Sequence, residues 1–148
     1  MQLIKKYAHK SLKLTKITDY QHKTIAIDAN LMIYKMIFAI RMNGYDLIYD
    51  GLIVTHLYTL LQKIKGFIKY NITPVFVFDG VPPQIKEGTL KQRKEFFNFM
   101  QQKYYKAVTQ DEKKKYYFTK SDITLDEINE CMELIRLFNY TIIESPEE

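Results

Sequence analysis

Three short apolar runs, each leading to an acidic residue, set the pattern of this chain. They are Thr24-Ile25-Ala26-Ile27 before Asp28, Pro74-Val75-Phe76-Val77-Phe78 before Asp79, and Tyr140-Thr141-Ile142-Ile143 before Glu144 and the closing Ser145-Pro146-Glu147-Glu148. Their β-branched and aromatic content, with turn formers at the borders, predicts strands. Between the first two runs the period changes. Leu31, Tyr34, Phe38 and Arg41 fall on one helical face, Asn43-Gly44 ends that helix, and Asp50-Gly51 marks a second turn. A second helix is expected over 52–70, on Leu57, Leu60, Leu61, Ile64, Phe67 and Ile68. After Asp79, Gly80 and Pro82-Pro83 turn the chain. A helix over about 91–108 follows, with Phe97, Met100, Tyr104 and Val108 near one face, and 110–115 reads as a polar break. Thr124 and Glu127 form a capping box opening a helix to about Phe138, with Ile128, Met132 and Ile135 inward and Asn139 as its stop. Near the start, Leu3, Ile4, Tyr7 and Ala8 form one face of a short helix.

Strand, helices and strand make a βαβ crossover, so the first two strands are expected to lie parallel. Asp28 and Asp79 then emerge from the same edge of the sheet, where open α/β sheets place their functional groups. One Asp-Gly alone reads as a turn, but the repeated pattern makes a site. Two carboxylates brought together repel unless one is protonated or a cation bridges them, and a hard divalent ion such as Mg²⁺ satisfies that need. Lys86 and Arg93 follow seven residues apart and share a helical face. Residues 94–120 hold seven lysines and three acids, interleaved with Phe and Tyr. Basic groups beside rings suit single-stranded nucleic acid; a helical hairpin burying its own rings beneath a solvated lysine face fits the composition equally well.

Composition narrows the field modestly. A chain of 148 residues fits one domain with a real core, and a net charge of +5 favours an anionic partner. Cys131 is alone, which excludes an intrachain disulfide framework and points to a reducing, intracellular compartment. No apolar run approaches the roughly 18 residues of a membrane span.

The segments Ile25-Ala-Ile-Asp28-Ala-Asn-Leu-Met-Ile-Tyr34, Pro74-Val-Phe-Val-Phe-Asp79-Gly-Val-Pro-Pro-Gln-Ile-Lys86, Arg93 and Ser145-Pro146-Glu147-Glu148 together resemble the XPG/flap endonuclease family of structure-specific 5′ nucleases. The similarity runs in order over most of 24–148. It implies an α/β, PIN-like three-layer domain with a parallel central sheet and a helical arch. The expected divisions are a nuclease region over 1–93, the arch over 94–123, and the start of the family's internal region over 124–148. The resemblance assigns Asp28, Asp79 and Glu148 to metal, with Mg²⁺ or Mn²⁺ as cofactor and two ions in a complete enzyme. It assigns Lys86 and Arg93 to the scissile phosphate and Tyr34 to a stacked nucleotide. Arg41, Lys113, Lys114 and Lys115 are the further expected DNA contacts.

The implied substrate is DNA with a 5′ single-stranded flap or end; RNA stays open, because nothing here reads a 2′-hydroxyl. Two departures stand out. The chain begins Met1-Gln2-Leu3 where the family has Met-Gly-Ile, and it stops before the family's remaining metal carboxylates and duplex-binding element. It is therefore expected to be a fragment, a split-gene product awaiting a C-terminal half, or a degenerate copy that binds nucleic acid without cutting it. A phosphatase of the haloacid dehalogenase type is disfavoured, since its nucleophilic Asp precedes a second Asp by two residues and position 77 is Val.

Overall fold

The computed structural model describes residues 7, 9–11, 13–80, 87–119 and 123–146. The architecture is α/β, with a parallel sheet and a helical arch. In chain order the elements are β1 (Thr24–Asp28), α1 (Ala29–Arg41), β2 (Ile48–Tyr49), β3 (Leu52–Ile53), α2 (Thr55–Lys69), β4 (Thr73–Phe78), α3 (Glu87–Lys106), α4 (Gln110–Tyr116), α5 (Leu125–Leu137) and β5 (Thr141–Glu144).

The main sheet has the order β1-β4-β5, parallel throughout. Both crossovers step in the same direction, so right-handed connections put α1, α2 and α5 on one face. That face carries Ile27, Phe76 and Ile142, which sit in register across the three strands. Phe76 is fully buried there with Ile33, Ile37, Leu60, Ile64, Cys131 and Ile135. The alternate residues point to the other face, where Ile143 is 49% exposed. Asp28 is in register with Val77 and belongs to this second set, and Asp79 follows Val77 at the same parity.

Two expected boundaries move. Asp50 and Gly51 both take positive φ, 50° and 79°, as a two-residue hairpin turn requires. Leu52 and Ile53 therefore pair with Tyr49 and Ile48 instead of opening the helix, and α2 starts at Thr55. The stretch expected as a polar break is helix α4. Its N-cap is Thr109, whose hydroxyl accepts from the Glu112 N–H while the Glu112 carboxylate accepts from the Thr109 N–H. The actual break is 107–109. The capping box at Thr124 and Glu127 forms as expected, and Asn139 follows α5 with a φ of 57°. Most of the expected N-terminal helix lies outside the described residues.

Candidate active site and nucleic-acid interface

The carboxyl ends of β1 and β4 open into a cleft of about 770 Å³ lined by Asp28, Asn30, Leu31, Tyr34, Phe38, Asp79, Phe96, Phe97, Ile123 and Ile128. Asp28 ends β1 and caps α1: its Oδ1 accepts from the Leu31 N–H at 2.8 Å, which fixes the carboxylate's orientation. Asp79 reaches the same cleft from the end of β4. The two aspartates expected at one edge are thus brought together there.

Hard oxygen donors suit a divalent cation of the Mg²⁺ type. The cleft offers the two carboxylates and a third oxygen, Asn30 Oδ1, which is buried with no hydrogen-bond partner among the described residues. This donor set fits such an ion in part. Among the described residues no cluster of three His, Cys, Asp or Glu side chains forms. Glu148 lies outside the described residues, as does Lys86. The chain leading toward Glu148 is nonetheless fixed beside the site. Ser145 N–H donates to the Phe78 carbonyl at 2.9 Å, and Gly80 lies so close under Ser145 and Pro146 that no side chain fits there.

Tyr34 lines the cleft, stacked on Phe38 with centroids 5.7 Å apart and planes at 22°. Arg93 falls within α3, which runs unbroken across that position; its side chain lies outside the described residues. Lys91, Lys94, Lys103 and Lys106 of α3 are exposed, as are Lys114 and Lys115 of α4, with Lys113 half-buried. Lys115 Nζ lies 5.7 Å from the Tyr116 ring centroid, and the Lys114 stem packs on Gly44, whose φ is 87°.

The expectation for Arg41 is corrected. Arg41 is 3% exposed, its Nε 2.9 Å from Asp46 Oδ1 and its Nη2 3.2 Å from Glu127 Oε1. Such a guanidinium faces inward and is not available to DNA. Its partner Asp46, which sequence reasoning passed over, also accepts from the Thr55 hydroxyl at 2.9 Å and the Tyr117 hydroxyl at 3.2 Å. Burial first, and then the Asp46 carboxylate, pushes the Tyr117 phenol up, so it stays a donor. Tyr117 closes the arch, and this hub ties the arch's C-terminal stem to α1, α2 and α5. Beside it the buried His56 Nε2 stands 2.5 Å from Glu130 Oε2. Phe96 and Phe97 were likewise not singled out for the cleft. Their signal was the ring-and-lysine interleaving, which did not say which rings face the site.

The model of the XPG N-terminal domain family matches residues 1–100. Flap endonuclease 1 of Naegleria gruberi is 34% identical over 151 residues, covering 99% of this chain and 39% of that protein. Flap endonuclease 1 of Entamoeba histolytica is 32% identical, covering 97% and 40%. The chain therefore spans about two fifths of the length of these curated relatives. Among solved structures, a catalytic core of Rad2 in complex with DNA substrate superposes with a TM-score of 0.63 at 24% identity, over 97% of this chain and 36% of that one. Flap endonuclease-1 from Methanococcus jannaschii superposes with a TM-score of 0.60 at 25% identity, over 92% and 45%.

Proposed function

The chain belongs to the XPG N-terminal domain family, and from that premise we propose that it forms part of a metal-dependent, structure-specific nuclease acting on DNA with a 5′ single-stranded flap or end. The observation that carries the reading is the meeting of Asp28 and Asp79 in one cleft beneath a lysine-bearing arch. The names of the flap endonuclease relatives and the DNA substrate held by the Rad2 cores support the substrate class.

Asp28, Asp79 and Asn30 would hold Mg²⁺ or Mn²⁺, with Glu148 as a further carboxylate and two ions in the complete enzyme. Bound there, the cation supplies charge neutralisation at the phosphate and an activated water nucleophile. The chain's own groups do the rest. The Leu31 N–H holds Asp28 oriented. Lys86 and Arg93 stabilise the charge that builds on the transferring phosphate. Exposed lysines of α3 and α4 take the strand's phosphates, and Tyr34 offers a ring face to a base.

A second reading has its own support. A two-metal site needs more than the two carboxylates that the described residues bring to the cleft, so the chain alone would bind DNA without cutting it.

The test uses the purified chain with labelled 5′-flap DNA under single-turnover conditions. The first reading expects slow cleavage that requires Mg²⁺ or Mn²⁺ and is abolished by Asp79→Asn, which keeps DNA affinity in EDTA. Flap binding with no cleavage in either ion favours the second reading. Absence of DNA binding overturns both.

A further inference from the structure

Phe96 and Phe97 of α3 line the same cleft as Tyr34 and Phe38 of α1 and the carboxylates Asp28 and Asp79. The Phe96 and Phe97 rings meet edge to face, centroids 6.1 Å apart and planes at 80°, so they present differently oriented surfaces. On α1 the Tyr34 and Phe38 rings are nearly parallel. Four rings thus flank a cleft whose volume falls within the roughly 300–1,000 Å³ range of small-molecule sites. Other rings of α3 are engaged elsewhere: Phe99 lies 4.7 Å under Lys103 Nζ, and Tyr105 packs on Tyr104.

Resting on the nuclease reading above, we propose that Phe96 and Phe97 are a nucleobase-stacking site for unpaired bases of single-stranded DNA, held across the cleft from Tyr34. Three features select this occupant. Rings that served only the core would be covered, whereas Phe96 is 54% exposed. An apolar partner helix or a second copy of the chain would bury the two aspartates against hydrocarbon, which is costly. A base presents a π-face to the rings and leaves the carboxylates to a cation. Charge agrees: exposed Lys94 stands one helical turn from Phe97, so a phosphate contact lies beside the ring. The site has no need to read sequence, since every base has a π-face.

The chain contains no Trp, so Phe97→Trp places a single reporter in the cleft. It is titrated in EDTA with oligothymidylate and with an all-abasic strand of equal length, following Trp fluorescence and the anisotropy of the labelled strand. Oligothymidylate is expected to quench the Trp and the abasic strand to leave it unchanged. Tyr105→Trp, elsewhere on α3, should show no base-dependent change. Phe97→Leu and Phe96→Leu should each weaken oligothymidylate binding by roughly tenfold, leaving abasic-strand affinity, the salt slope and the melting temperature near wild type. Equal wild-type affinity for the two strands overturns this inference and leaves the nuclease reading standing. An unquenched Trp in a complex detected by anisotropy does the same. A Trp signal that tracks protein concentration without DNA assigns the cleft to a second copy and also overturns it. No binding of either strand by wild type overturns the nuclease reading and this inference together.

Discussion

Replacing Arg41 by Met tests whether this cation serves the fold or the DNA. The guanidinium is 3% exposed, and its carboxylate partners Asp46 and Glu127 have side chains 5% and 14% exposed. Removing it leaves two carboxylates out of water without their counter-charge. Breaking a buried pair this way costs about 3–5 kcal/mol. The lower end applies here, because Asp46 keeps the Thr55 and Tyr117 hydroxyls and Glu127 keeps its Thr124 N–H. For a chain of this size a loss of about 3 kcal/mol lowers the melting temperature by roughly 6–12 °C. Urea unfolding followed by circular dichroism gives the first number, and single-strand binding across a salt series at low temperature gives the second. The expected result is a large fall in stability with the salt slope unchanged. Adding Asp46→Asn should cost less than the sum of the two single changes, since the carboxylate that Arg41 neutralises is then gone. Stability within about 0.5 kcal/mol of wild type, with a salt slope flattened by about 0.7, would make Arg41 a phosphate contact and refute the reasoning.

Replacing Lys113, Lys114 and Lys115 by Ala should weaken single-strand binding and flatten its salt dependence by roughly 0.7 per lost phosphate contact; an unchanged slope makes them a solvated face. Cys131, fully buried, has its thiol pushed up to about 12 by burial and then by Glu127 and Glu130. It should resist thiol reagents in the native chain at pH 8 and react on unfolding. Stability linked to it is full below the ordinary thiol value of 9.0 and falls as pH rises toward about 12; rapid native-state labelling would contradict the burial. Gly80→Ala forces a methyl group into the Ser145 and Pro146 backbone. It should displace that segment and weaken stabilisation by Ca²⁺ or Mg²⁺ in thermal melts, and an unaltered metal response would detach residues beyond Pro146 from the site.

The sequence reveals the strands and their acids because a run such as Val75-Phe76-Val77-Phe78 has no other sensible place than a central strand, and parallel pairing then follows from the helices between. Local signals fail where two are in competition. Leu52 and Ile53 continue the helical period of α2, yet Asp50-Gly51 at positive φ makes a hairpin of them. The Thr109 and Glu112 capping box has the same form as the one at Thr124 and Glu127, but it precedes a lysine run with no apolar stripe. Arg41 shows the deeper limit. Periodicity assigns it a helix face but not a depth: along that face Leu31 and Tyr34 are exposed while Arg41 is buried. It pairs with Glu127, 86 residues away, and no local pattern carries that pairing.

The placement of the arch follows from where it enters the topology. Both crossovers step from β1 to β4 to β5 in one direction, so both leading strands end at the same edge, and each carries its acid there. The arch is inserted into the second crossover immediately after that edge, so whatever it bears starts close to Asp79. Proximity alone would leave it swinging about that point. Contacts that hold its far stem include Tyr117 on Asp46 and Lys114 on Gly44. Both lie in the loop that follows α1, the helix that Asp28 caps and that carries Tyr34. One rigid element therefore sets the position of Asp28, Tyr34 and the arch stem together. This is why the rings of Phe96 and Phe97 share a cleft with Tyr34.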